Sequence, residues 1–206
     1  MAITFGNTSE NGTQGTTSWS HNNNGDFLFI GVSSTTDNIT GVTYNGVSMT
    51  QIGTSVHNAT LGRYVTIWGL ASPTSGSNTV AITGGANQTA AGTSISGYNS
   101  NSGFNSGSTI SATPVSVGVT TTVDNAFVVG FGIFVTFSSL GTGVSDIDGA
   151  VNGDTNVRLI KSTSAVTPAG VFTMAVNMSG SNLGLLAAVG VNPVAAAVNS
   201  NFFQFM

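Results

Sequence analysis

A chain of 206 residues suits one β-sandwich or barrel domain, long enough to bury roughly 70% of its unfolded surface without a disulfide or a metal. Three basic residues (Arg63, Arg158, Lys161), seven acidic ones and no cysteine leave no basic patch for nucleic acid or anionic lipid, and no disulfide framework. Disorder is excluded as well, because 40% of the residues are apolar and the net charge is only −4.

The remaining polar positions are mostly Gly, Ser, Thr and Asn, and Val leads the aliphatics. Thr and Val favour strands while Gly and Asn favour tight turns, so the chain reads as β-rich and turn-rich. Met1 to Phe5 has neither a basic nor an apolar leader region, so no export by the general secretory route is expected. No apolar run reaches the roughly 20 residues of a membrane helix. The strands are also too few and too irregular for an outer-membrane barrel.

In chain order, Ser20-His21-Asn22-Asn23-Asn24 reads as a loop or strand edge that leaves His21 at the surface. Asp26 to Ser33 reads as a strand. Val42 to Met49 places Asn45-Gly46 between two strand-like runs, the strongest short hairpin signal. Leu61 to Leu70 follows as a strand with Trp68 in the core, then the turn Pro73-Thr74-Ser75-Gly76 and a strand at Thr79 to Thr83. Asn99 to Ser108 reads as a polar loop carrying one exposed aromatic, Phe104, the candidate ligand contact.

Val115, Val117 and Val119 alternate with small polar residues, as a half-buried strand does. Ala126 to Phe137 is the clearest strand. Phe127, Val129, Phe131, Ile133, Val135 and Phe137 share one face, and Gly130 and Gly132 on the other expect a close neighbour. Asp146 to Thr155 reads as a polar loop whose Asp146, Asp148 and Asp154 are candidate Ca²⁺ ligands, though the spacing departs from the EF-hand loop. Phe172, Met174, Val176 and Met178 form another alternating set, and Leu183 to Val191 is apolar on both faces. The expected core includes Phe127, Phe131, Ile133, Phe172, Met174 and Val189.

The architecture expected from these elements is all-β: a two-sheet antiparallel sandwich of jelly-roll or Greek-key type. It would span residues 1–193 as a single domain, with 194–206 as an apolar tail. That tail carries Phe202, Phe203, Phe205 and Met206, candidate interface residues whose rings need cover from water.

The order Trp19-Ser20-His21, Asp26-Phe27-Leu28-Phe29-Ile30-Gly31-Val32, Val42-Thr43-Tyr44-Asn45-Gly46-Val47, Val65-Thr66-Ile67-Trp68-Gly69-Leu70-Ala71-Ser72-Pro73 and Ala187-Ala188-Val189-Gly190-Val191-Asn192-Pro193 is similar to sandwich modules of tailed-phage virion proteins and of bacterial surface proteins. The resemblance spans most of the chain and rests on strand-and-turn patterns. It implies no catalytic residues. It implies a structural protein of the virion, a capsid decoration (cement) or fibre component that binds a capsid protein or its own copies. A glycan-binding attachment module and a self-assembling extracellular filament or surface-layer subunit are the alternatives. An enzyme is not expected, because no serine has a nucleophile-elbow context and no carboxylates pair.

Overall fold

The structure is a computed structural model that describes residues 1–109, 114–151, 156–180 and 183–195, with residues 148–150 described by their backbone only. The described residues form seventeen strands. In the first half these are β1 (Thr4–Glu10), β2 (Ser18–Asn23), β3 (Phe27–Ser34), β4 (Ile39–Tyr44), β5 (Val47–Ser48), β6 (Thr50–Asn58), β7 (Arg63–Ala71), β8 (Gly76–Gly84) and β9 (Thr89–Ser96). The second half has β10 (Tyr98–Thr109), β11 (Val115–Thr120), β12 (Phe127–Phe134), β13 (Phe137–Leu140), β14 (Val144–Ala150), β15 (Val157–Ser162), β16 (Val171–Met178) and β17 (Gly184–Pro193). No helix among the described residues is long and apolar enough to cross a membrane.

The all-β antiparallel sandwich expected from the sequence is what forms, with four sheets where one pair was expected. One inner sheet has the order β1-β9-β3-β7-β6, and the other has β10-β17-β12-β15-β14. The outer sheets run β2-β8-β4-β5 and β11-β16-β13. Three apolar cores separate these layers. Phe27, Phe29 and Ile67 meet Phe131, Leu159 and Leu185 between the inner sheets. Leu28, Ile30, Tyr44 and Trp68 fill the first outer layer. Val117, Phe134, Ile160 and Met174 fill the second. Strands β3 and β12 therefore face a core on each side, which explains their unbroken apolar runs.

The two halves share one plan. Renaming β1, β2, β3 and β4 as β10, β11, β12 and β13, and β6 to β9 as β14 to β17, converts each sheet order of the first half into that of the second. Only the two-residue β5 lacks a counterpart. Registers agree too: Phe27 and Phe127 open their strands opposite Ile95 and Val191, and Gly31 and Phe131 lie opposite Ile67 and Leu159. The irregularities also recur. The β1/β9 pair shifts register between Phe5 and Thr8, and β10/β17 between Ser102 and Asn105. The β6/β7 pair shifts between Ile52 and Val56, and β14/β15 between Asp146 and Ala150. Bulges are positioned features of a strand pair, so their recurrence marks an internal duplication.

The halves are not copies at their centre. A Cβ on Gly31 would overlap the ring of Phe131, the residue at the matching position of β12. One half thus supplies a ring and the other the bare backbone beneath it, where two rings would collide.

Several local expectations change. Asn99 to Ser108 is strand β10, not a loop, and the chain of β14 runs through Asp146 to Ala150 before leaving the sheet. Strand β12 ends at Phe134, and Thr136 takes a left-handed φ of 56° in the turn to β13, so Val135 and Phe137 do not continue its face. The Asn45-Gly46 hairpin forms as expected, with φ of 51° and 75° at the two turn residues. The close neighbours expected at the β12 glycines are Met174 at Gly130, whose sulfur would lie 2.7 Å from an added Cβ, and the Leu185 carbonyl and Phe134 ring at Gly132. Of the expected core, Phe131, Ile133, Met174 and Val189 are buried, while Phe127 and Phe172 are half-buried at the core edges.

Candidate functional site

His21 is fully buried, not a surface residue, because alternation along β2 turns His21 and Asn23 inward. Its Nδ1 lies 2.8 Å from Ser9 Oγ and its Nε2 lies 2.9 Å from Ser94 Oγ. Hydrogen-bond bookkeeping sets the tautomer. Ser94 Oγ donates to Asn23 Oδ1 at 2.9 Å, so the proton between His21 and Ser94 belongs to Nε2. Nδ1 then accepts from Ser9 Oγ, which itself accepts from Trp19 Nε1 at 2.9 Å. Desolvation pushes the imidazole down to about 4 from its ordinary 6.5. A ring held neutral, with a serine behind it where a catalytic base has a carboxylate, is a weak base. The cluster ties β1, β2 and β9 together.

His57 is exposed on β6 and stacks on the half-buried Tyr64 at 4.0 Å between ring centroids. Trp68 is buried and donates to Thr66 Oγ1, and Trp19 Nε1 donates to Ser9 Oγ. Phe104, expected to stand free on a loop, is half-buried on β10, with its ring packed on the backbone of Gly53 from β6.

Of the candidate Ca²⁺ ligands, Asp146 accepts a 3.1 Å bond from Arg158 across the β14/β15 pair. Burial raises its carboxyl above the usual range, and the Arg158 charge opposes that shift. Arg158 also covers the Phe137 ring at 3.9 Å. The Asp148 side chain and all of Asp154 lie outside the described residues.

A groove of about 620 Å³ opens where the chain ends meet. It is lined by Met1 and Ala2 at the N-terminus, Val123 and Asp124 from the β11–β12 connection, Phe127 from β12, and Val194 and Ala195 after β17. The Met1 nitrogen donates to the Val194 carbonyl at 2.7 Å, and the Val194 amide donates to Gly97 at 2.8 Å. Met1, Val123 and Val194 are three of the five large apolar side chains exposed among the described residues. The rest of the described surface has little apolar area of this kind, so the groove is its clearest docking feature. Sequence reading missed it, because it joins positions more than 190 residues apart. The candidate interface residues Phe202, Phe203, Phe205 and Met206 lie outside the described residues, whose last, Ala195, lines the groove.

Comparison with family models, with curated proteins and with solved structures finds no match to the chain.

Proposed function

We propose that this protein is a structural subunit that works by adhesion, a capsid decoration (cement) or fibre component of a tailed-phage virion. The observation that carries the reading is the largely apolar groove lined by both Met1 and Ala195, in a chain whose sequence beyond Ala195 carries Phe202, Phe203 and Phe205. An exposed apolar groove and aromatic residues in the same chain suit contact with a neighbour, where aromatic anchors dominate the energy. The low charge supports dense packing of like subunits, since little repulsion opposes association. The buried His21 and the stacked His57 are engaged in packing and hydrogen bonding, as residues of a structural subunit would be.

The test is co-assembly. A cement or fibre subunit co-purifies in fixed ratio with a capsid or tail protein and rebinds particles stripped of it. Binding to a glycan array by the isolated chain, without particle binding, would replace this reading with an attachment lectin. Polymerisation of the chain alone into fibres would replace it with a filament subunit.

A further inference from the structure

The duplication supplies an internal comparison for the groove. At the first half's end, the Tyr98 ring stacks on Phe27 at 3.9 Å between centroids and 14° between planes. Phe127 is the counterpart of Phe27, since both open their strands opposite the matching residues Ile95 and Val191. Tyr98 has a counterpart as well. The pairs Thr4↔Ser96 and Ser100↔Asn192 correspond, and Tyr98 stands two residues before Ser100 as Ala2 stands two before Thr4. One half has a tyrosine ring over its phenylalanine, and the other has an alanine. Both Ala2 and Phe127 line the groove. Phe127 meets Phe5 there in a T-shaped contact at 5.6 Å and 72°, with the Lys161 ammonium 5.9 Å from its ring centroid.

We propose that this groove is the receptor for residues 199–206 of a second copy of the chain, with one of Phe202, Phe203 or Phe205 lying on Phe127 as Tyr98 lies on Phe27. The inference rests on the adhesive reading above and names the surface that reading requires. The occupant follows from position and chemistry. The last described residue, Ala195, lines the groove, the sequence beyond it carries three aromatic rings and no charged side chain, and the groove is lined mainly by apolar residues, with Asn99, Asp124 and Asn125 beside them. Because each copy carries both a groove and the segment that would fill one, two copies can exchange segments about a two-fold axis and bury both grooves at once.

The experiment uses the full chain. Phe202, Phe203 and Phe205 are changed together to Ser in one variant, and Ala2→Tyr fills the groove in another with the ring its counterpart already carries. Sedimentation over a range of concentrations should find the parent assembled and both variants monomeric, with melting temperatures unchanged. A labelled peptide of residues 199–206 should bind the triple-Ser chain, and adding Ala2→Tyr should weaken that binding on the order of tenfold or more. If the triple-Ser variant disperses while Ala2→Tyr still assembles, the segment docks elsewhere; the groove proposal falls and the adhesive reading stands. If the parent is monomeric and the triple-Ser change lowers its melting temperature, the segment packs on its own chain, and the second copy is wrong together with the adhesive role of the tail. A peptide that fails to bind overturns the groove whatever the assembly state.

Discussion

At the scale of single residues, His21 has the sharpest consequence. The unfolded chain takes up a proton as pH falls through the ordinary 6.5, while the native ring stays neutral until about 4. The unfolded state therefore binds more protons between those values, so stability is complete above the upper one and drains away towards the lower. A full shift of this size corresponds to about 3 kcal/mol, with no further loss from this group below pH 4. Asp146 works in the opposite sense, since its raised carboxyl is costly when ionised and relieved when protonated. Urea titrations stepped from neutral pH down to about pH 4 should show a falling unfolding free energy that is absent in a His21→Gln variant. A parent curve flat over that window would mean that the ring is not held neutral. The composition flagged only that His21 existed. Its burial depends on three separate strands arriving at one place, and Ser9 and Ser94 carry no local sign of that meeting.

At the scale of strands, legibility followed side-chain size. Strands β12, β16 and β17 could be read because large apolar residues alternate or run unbroken, and the β4–β5 hairpin because Asn45-Gly46 suits its left-handed turn. Strands β9 and β10 could not. Thr-Ala-Ala-Gly-Thr-Ser-Ile-Ser and Asn-Ser-Asn-Ser-Gly-Phe-Asn-Ser have the small polar residues of a loop. Their strand character comes from neighbours: β9 is sandwiched between β1 and β3, and β10 is zipped to β17 over nearly its whole length. Sheet position also orders their lability, because central strands share hydrogen bonds on both edges. Native-state hydrogen exchange should find β3, β9, β12 and β17 slowest and β5 and β13 fastest. Fast exchange along β9, at the rate of the edge strands, would show that its small side chains leave it outside the cooperative unit.

At the scale of the whole molecule, the duplication was hidden because matching positions often carry different residues, some of them complementary. Gly31 and Phe131 are the plainest case, and their contact offers a measurement of how firmly the halves are joined. Phe131→Ala should cost about 3–5 kcal/mol as a cavity, and Gly31→Ala about 1–3 kcal/mol as overpacking against the ring. Combined, the new methyl group enters the space that the ring has left. The double variant should then lose less than the two single losses together, by about 1 kcal/mol or more, in a denaturant double-mutant cycle. Strict additivity would mean that the two strands do not bear on each other here.

The shared central core also governs how the chain emerges from the ribosome. The first half can pair its last strand with its first once Ser96 is made, since Thr4 pairs with Ser96. It then carries Phe27, Phe29 and Ile67 on a face whose cover, Phe131, Leu159 and Leu185, has not been synthesised. The second half closes only when β17 arrives to pair with β10 and β12, some ninety residues after β10. For that interval the nascent chain holds a finished sandwich with an apolar sheet open to its surroundings, the condition under which holding chaperones protect a chain and crowded synthesis aggregates it.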